Sequence, residues 1–227
     1  SAIALALADE GYTLVLHYFK SIKEAKAVYG AVCKKSPESI LVSANLKNET
    51  EVTKMFAQIY KKFPKIDLLV NNVGNYLYKE FSKTTNTEFL DVMESNVYST
   101  LFCSREALKS MRKQNSGHII NIGSVGVGTF VIREKSTPYF MAKNAVFTLT
   151  KIMAWEEAKR GIHVNMISPA SLVEDIFQKT QFPMGRSAKY KDVISALLFL
   201  TSEPAYYING ASIEVAGAFI PGLAQGK

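Results

Sequence analysis

Hydrophobic and polar residues follow two patterns along the chain, and together these predict strands and helices in turn. Short apolar runs rich in β-branched and aromatic residues predict strands at 12–18, 39–44, 65–72, 117–124, 162–168 and 211–215. Between them, apolar residues at helical spacing predict helices at 1–10, 21–35, 49–63, 85–95, 97–114, 138–160 and 190–202. The alternation runs without a linker or an internal repeat, which predicts a single domain over residues 1–227.

The predicted strands are near-continuous apolar runs, such as "IDLLV" and "HIINI". Strands of this kind are covered by helices on both faces, which is typical of a parallel sheet. Right-handed crossovers then build an α/β fold with a Rossmann-like, doubly wound parallel sheet. Ligands of such sheets bind outside the carboxyl ends of the strands. The candidate site residues are therefore those that follow the strands: Lys20, Ser21, Asn45, Asn71 to Gly74, Ser124, Ser168 and Pro169.

The segment "TPYFMAKNAV" carries the pair that is most suggestive of chemistry. Tyr139 and Lys143 are four residues apart on a predicted helix, so their side chains share one face, about one turn apart. An ammonium beside a phenol favours the phenolate, and we expect Lys143 to lower the pKa of Tyr139 toward neutral pH. Taken alone, the pair is also compatible with two helix-surface residues that have no chemical role.

Three companions favour the chemical interpretation. The turn "NNVG" at 71–74 follows one strand, Ser124 ends the next strand, and Asn96 lies in the helix between them. With Tyr-x-x-x-Lys, "ISPA" and the closing "NGASIEVAGA", these features occur in the order of the short-chain dehydrogenase/reductase family, which the chain resembles over nearly its whole length. The resemblance implies an NADP(H)-dependent oxidoreductase that reduces a carbonyl group.

The resemblance also assigns a role to each catalytic candidate. Tyr139 would be the acid–base residue, and Lys143 would assist it and bind the nicotinamide ribose. Ser124 would hydrogen-bond the substrate oxygen, and Asn96 would support a water chain to Lys143. Two structural alternatives remain: Ser124 as a strand-end cap, and Asn96 as a buried amide that bonds the helix backbone.

The same resemblance implies the cofactor contacts. They would involve Lys20 and Ser21 after one strand, Asn45 and Leu46 after the next, and further along the chain Asn71, Gly74, Tyr139, Lys143 and Pro169. The strand ending "LHYFKS" has no acid between Tyr12 and Lys23, where NAD-preferring folds place an Asp or Glu. Lys20 offers a cation to a 2′-phosphate, which predicts NADP(H). The alternative is a solvated Lys20 and a Ser21 that only caps a helix.

The family's first strand and glycine-rich phosphate turn do not appear in the sequence, which starts with residues of a predicted helix. We therefore expect roughly 10–20 further residues ahead of Ser1 in the natural polypeptide. The loop at 170–189, the family's substrate lid, is short. Ala170 and Ala216 replace a frequent Gly and a frequent Asp of the family, and these departures concern loop and subunit packing.

Composition narrows the class of protein. The net charge is +7, but the lysines are scattered over the predicted helices, which argues against a nucleic-acid stripe and leaves an acidic carrier protein as a suitable partner. No apolar run is long enough to span a membrane. The two cysteines, Cys33 and Cys103, predict no disulfide framework or metal site, and a cytoplasmic setting follows.

Two enzyme branches and one non-enzymatic alternative remain open. The first branch resembles β-ketoacyl-[acyl-carrier-protein] reductase and takes a carrier-bound or small-molecule carbonyl substrate. The second resembles pteridine reductase, because of "LHYFKS" at 16–21, although that group often has Asp at the position of Ser124. The alternative is a catalytically silent, nucleotide-binding member of the family. Members of the family commonly form tetramers through segments that correspond to the helices at 97–114 and 138–160 and to the last strand. The apolar residues of these segments predict a homotetramer.

Overall fold

A computed structural model describes residues 1–129, 133–172 and 182–220 of the chain. The chain divides into two compact units, Ser1–Pro64 and Lys65–Lys227. Each unit contains parallel strands that alternate with helices, as the sequence predicts.

The first unit contains two strands and three helices. Its elements are α1 (Ala2–Asp9), β1 (Val15–Tyr18), α2 (Ile22–Cys33), β2 (Ile40–Ser43) and α3 (Glu49–Lys62). β1 and β2 pair in parallel, with Val15 opposite Ile40. Helix α3 begins at the cap residue Asn48, whose side chain accepts a hydrogen bond from the Glu51 amide, and it buries its predicted apolar face.

The second unit contains a four-stranded parallel sheet in the order β3-β4-β5-β6. The strands are β3 (Leu68–Asn71), β4 (Gly117–Ile122), β5 (Ile162–Pro169) and β6 (Ser212–Val215). The helices are α4 (Asn86–Met93), α5 (Ser99–Gln114), α6 (Thr137–Glu157) and α7 (Tyr190–Leu200). The two inner strands supply fully buried side chains, including Ile119, Ile120, Ile162 and Met166, as expected for strands covered on both faces.

The predicted strands therefore lie in two sheets, of two and four strands, and all pairings are parallel. The predicted α/β, Rossmann-like fold is confirmed, and the differences concern the ends of elements. The strand expected at 12–18 begins only at Val15. The single domain over 1–227 and the further strand ahead of Ser1 stay predictions.

The two helices expected at 85–95 and 97–114 are joined by a π-helical turn, Glu94–Tyr98. Inside this turn, the Asn96 amide donates to the carbonyl of Val92 at 2.9 Å. A side chain that bonds a carbonyl one turn earlier competes with the backbone ladder, and single π-turns occur where that ladder is interrupted. The turn therefore directs Asn96 inward, where it is 1% exposed.

The two alanines that depart from the family pattern both lie in one apolar cluster. Ala170 and Ala216 pack there with Val125, Phe182 and Phe219. The rings of Phe182 and Phe219 have centroids 5.0 Å apart. Residues 173–181 of the predicted lid lie outside the described residues. In the described part of the chain, no helix combines the length and the hydropathy that a membrane span requires.

Candidate active site

Strands β3, β4 and β5 end around a pocket of about 310 Å³ in the second unit. Three of the predicted catalytic residues line it, and so do predicted cofactor residues that follow the strands. The lining includes Asn72, Val73, Gly74, Tyr76, Ser124, Arg133, Tyr139, Lys143, Pro169 and Phe219. The pocket lies at the carboxyl edge of a parallel sheet, where the fold is expected to bind ligands.

Lys143 is the buried cation of the pocket. Its side chain is 7% exposed, and its ammonium donates to the carbonyl of Ile122, at the end of β4, at 2.8 Å. Burial lowers the pKa of Lys143 to about 8. An ammonium has three N–H donors, and within the described ranges only this one hydrogen bond is made. The other donors suit the two hydroxyls of a ribose, so the pocket fits a nicotinamide nucleotide.

Tyr139 lies one helical turn before Lys143, with the Lys143 nitrogen 5.6 Å from the centre of its ring. Burial raises the pKa of Tyr139 above its ordinary value, while a hydrogen bond from the Ser124 side chain lowers it and Tyr76 raises it further. Our expectation that this pKa falls toward neutral pH was wrong for this structure, because the loss of solvent around the phenol has the largest effect on it. Tyr139 is therefore a protonated acid at neutral pH.

Ser124 lies in a turn whose backbone makes hydrogen bonds to three neighbouring elements. The Gly126 amide donates to the Glu214 carboxylate at 3.1 Å, and the Gly128 amide donates to Asn144 at 3.1 Å. Between them, the Val125 amide donates to the carbonyl of Pro169 at 3.0 Å. The turn therefore rests on β5, β6 and α6 together, which holds the hydroxyl of Ser124 next to Tyr139.

Asn96 lies beneath the turn that follows β3. Its amide donates to the Asn75 carbonyl at 3.0 Å, and the hydroxyl of neighbouring Ser95 accepts from the Asn75 amide at 3.0 Å. A side chain on Gly74 would meet the Asn96 oxygen at 2.0 Å, so only glycine fits there. Asn96 thus bonds the helix backbone, as the structural alternative expects, and it also lies against Gly74 of the predicted cofactor turn. The water chain to Lys143 stays a prediction.

Asn71 is placed differently from its neighbour Asn72. The Asn71 amide donates to Asn121 at 2.8 Å and to Ser104 at 3.1 Å. The Asn121 amide in turn donates to Thr150 at 2.8 Å. The Asn71 side chain therefore links β3 to β4 and α5, while Asn72 and Gly74 line the pocket.

The other predicted cofactor residues belong to the first unit. Lys20 is exposed, with its ammonium 5.4 Å from the centre of the Phe19 ring. Ser21 precedes α2 without making a side-chain cap. The Asn45 amide hydrogen is accepted by Glu51 at 2.8 Å, and Leu46 is buried. Their contacts with a cofactor stay predictions.

Sequence reasoning missed several residues that line the pocket. Tyr76 packs edge-on against Tyr139, with ring centroids 4.9 Å apart and planes at 82°. Arg133 and Phe219 also line the pocket, although neither belongs to one of the motifs. The one available signal was the aromatic residue two positions after the "NNVG" turn, at the carboxyl edge of the sheet.

A family model described as enoyl-(acyl carrier protein) reductase matches residues 1–219. The chain belongs to the short-chain dehydrogenase/reductase family. Among curated proteins, it is 34% identical over 226 residues to the 3-oxoacyl-[acyl-carrier-protein] reductase FabG of Staphylococcus aureus (strain Mu50), covering 95% of this chain and 91% of that protein. It is 33% identical over 227 residues to the 3-oxoacyl-[acyl-carrier-protein] reductase of Synechocystis, covering 96% and 91%.

A solved structure agrees with this assignment. A Bacillus thuringiensis protein proposed to be a 3-oxoacyl-reductase superposes with a TM-score of 0.85 and 26% identity, over 96% of this chain and 91% of that one. The predicted family is therefore confirmed, and with it the class of oxidoreductases that use a nicotinamide cofactor on alcohol and carbonyl groups.

Proposed function

We propose that this protein is an NADP(H)-dependent reductase of 3-oxoacyl thioesters carried by an acidic carrier protein. The observation that supports the proposal most is the pocket itself, which brings together Ser124, Tyr139 and Lys143 at the carboxyl edge of the sheet. The relatives in Staphylococcus and Synechocystis are 3-oxoacyl-[acyl-carrier-protein] reductases by name, which supports the substrate class. The net charge of +7 suits an acidic partner.

The residues of the pocket divide the work of proton transfer. Ser124 donates a hydrogen bond to the substrate carbonyl and orients it toward Tyr139. Tyr139, a protonated phenol at neutral pH, gives its proton to the carbonyl oxygen as negative charge develops there. Lys143 binds the ribose hydroxyls and stabilises the phenolate that remains. The bound nicotinamide nucleotide supplies the hydride for the carbonyl carbon.

The test of this proposal is a comparison of substrates with the intact protein and NADPH. Acetoacetyl thioesters, free and on a carrier protein, are expected to be reduced, with the carrier-bound form giving the higher kcat/KM. A protein that reduces neither thioester, although it is folded, would contradict the proposal.

A second candidate function is the reduction of a flat ring such as a dihydropterin. The aromatic lining of the pocket, with Tyr76, Tyr139 and Phe219, favours this alternative. A dihydropterin assayed beside the thioesters separates the two candidates by their kcat/KM values.

The choice of NADPH over NADH is proposed to depend on Lys20, which is exposed directly after β1. Changing Lys20 to Ala is expected to weaken NADPH binding by about 1–2 kcal/mol, the scale of a hydrogen bond to a charged group, and to leave NADH almost unchanged. Fluorescence titration with both cofactors measures the difference. The matched control is Lys23→Ala, three residues later in the first turn of α2. Equal losses for both cofactors would mean that Lys20 does not meet the 2′-phosphate.

We also propose that the protein is a cytoplasmic homotetramer. Helix α6 leaves Trp155 86% exposed and Ile152 49% exposed, and Tyr98 before α5 is 46% exposed. Surfaces of this kind are typical of assembly. One chain has a mass of 25.2 kDa, and light scattering is expected to report four times that mass. A monomer at micromolar concentration would contradict the proposal.

A further inference from the structure

The hydroxyl of Ser136 bonds a distant tyrosine and does not cap the helix that Ser136 precedes. Ser136 is the cap residue of α6, yet its side chain caps no backbone N–H of the helix. It is fully buried, and its hydroxyl is 2.9 Å from the hydroxyl of Tyr76. A serine at this position ordinarily satisfies the first turn of its helix. Here it donates to the carbonyl of Glu134 at 3.3 Å and bonds a tyrosine sixty residues earlier in the chain instead.

Tyr76 is held at both ends. Its backbone follows Asn75, whose amide and carbonyl are bonded by Ser95 and Asn96, and whose side chain donates to Asp91 at 2.6 Å. Its hydroxyl is held by Ser136. A second link joins the same two segments, since the Lys79 amide donates to the Lys135 carbonyl at 2.6 Å. The segment after β3 is therefore joined to the first turn of α6.

That first turn carries Tyr139. The ring of Tyr76 meets the ring of Tyr139 edge-on at 4.9 Å, on the side of the pocket. Lys143, one turn later, is held from β4 by the Ile122 carbonyl. The two members of the Tyr-x-x-x-Lys pair are thus contacted by different elements, Lys143 by the end of β4 and Tyr139 by Tyr76.

We propose that Tyr76 is a positioning residue that holds the phenol of Tyr139 toward Ser124 by means of its ring edge and its bond to Ser136. This inference rests on the proposed function, because it assigns Tyr76 a part in the proton transfer by Tyr139. Within the described residues, Tyr76, Ser124, Phe140 and Lys143 face the Tyr139 ring; Phe140 and Lys143 belong to α6 itself and Ser124 to the turn after β4, whereas Tyr76 comes from the segment after β3.

Four variants separate positioning from general packing. Tyr76→Leu removes the aromatic ring, Tyr76→Phe removes only the hydroxyl, and Ser136→Ala removes the other end of the same hydrogen bond. The matched control is Tyr78→Leu, since Tyr78 lies two residues further on and contacts the cations of Arg133 and Lys135 rather than Tyr139.

The kinetic expectation is a loss of kcat without a loss of cofactor binding. Tyr76→Leu is expected to lower kcat roughly tenfold to a hundredfold, the range that small misplacements of reacting groups produce, with an unchanged KM for NADPH. Tyr76→Phe is expected to lower kcat by a smaller factor. Ser136→Ala also removes the bond to the Glu134 carbonyl and is expected to lower kcat at least as much, and the double variant should add nothing to Ser136→Ala, because both changes remove the bond between Tyr76 and Ser136. Equal losses in Tyr78→Leu would overturn the proposal.

A second readout needs no activity. Nuclear magnetic resonance of tyrosine labelled at Cζ reports the ionisation of each phenol, and Tyr139→Phe identifies the signal of Tyr139. The Ser124 hydrogen bond lowers the pKa of Tyr139, so Ser124→Ala is expected to raise this pKa in the wild-type background and to change it little in Tyr76→Leu, where the phenol is no longer held toward Ser124. A Ser124→Ala shift of the same size in folded Tyr76→Leu would overturn the positioning role. If the wild-type protein reduces no carbonyl substrate, the proposed function is overturned instead. The titration would still show whether Tyr76 holds the phenol of Tyr139.

Discussion

Replacing Tyr139 by phenylalanine is expected to lower kcat by about 10²–10⁴, the typical share of a general acid. The substitution keeps the ring and its edge contact with Tyr76 but removes the hydroxyl that Ser124 faces. Since Lys143 is held by Ile122 and not by the phenol, the KM for NADPH is expected to stay near its wild-type value. Steady-state kinetics with an acetoacetyl thioester measure both quantities.

The control for this variant is Tyr98→Phe, because Tyr98 is an exposed tyrosine outside the pocket. It is expected to retain wild-type turnover. A Tyr139→Phe protein with near-normal kcat would remove Tyr139 from the mechanism, and the proton would then have to come from another group.

Replacing Lys143 by methionine is expected to harm both turnover and cofactor binding. The kcat should fall by a factor on the order of 10² or more, because the phenolate of Tyr139 loses its neighbouring cation. The KM for NADPH should rise roughly tenfold or more, as expected when charge-assisted hydrogen bonds to the ribose are lost. Methionine keeps the buried stem filled, so circular dichroism and thermal unfolding should show a folded protein.

The same residue predicts a pH dependence. Burial lowers the pKa of Lys143 to about 8, so its ammonium is charged below that pH and neutral above it. The kcat/KM for NADPH is therefore expected to fall as the pH rises through about 8. An arginine stays charged in this range, and Lys143→Arg should move the decline to higher pH. An identical decline in both proteins would show that another group titrates there.

The sequence was sufficient to predict which residues of the second unit share the pocket because most of them follow short-range rules. Tyr139 and Lys143 share a helix face at a spacing of four, and Ser124 and Gly74 come within three residues of the ends of β4 and β3. Their common pocket follows once the strands are parallel. The strand and helix order was predictable for the same reason.

What the sequence could not predict depends on packing between distant segments. The contact of Tyr76 with Tyr139 and Ser136 requires the segment after β3 to lie against the start of α6, and no periodicity encodes that. The pKa of Tyr139 was predicted with the wrong direction because spacing reveals the nearby cation but not the loss of solvent. The π-turn at Glu94–Tyr98 similarly arises from the hydrogen bond of one side chain, Asn96.

The most direct test of the proposed reaction follows the hydride itself. The intact protein is incubated with acetoacetyl carrier protein and NADPH that carries deuterium at the transferable position of the nicotinamide, and the product is analysed by mass spectrometry. We predict a 3-hydroxybutyryl thioester with deuterium on the former carbonyl carbon, and a much smaller yield with Tyr139→Phe. A folded protein that forms no 3-hydroxy product, or one without deuterium at that carbon, would contradict the account.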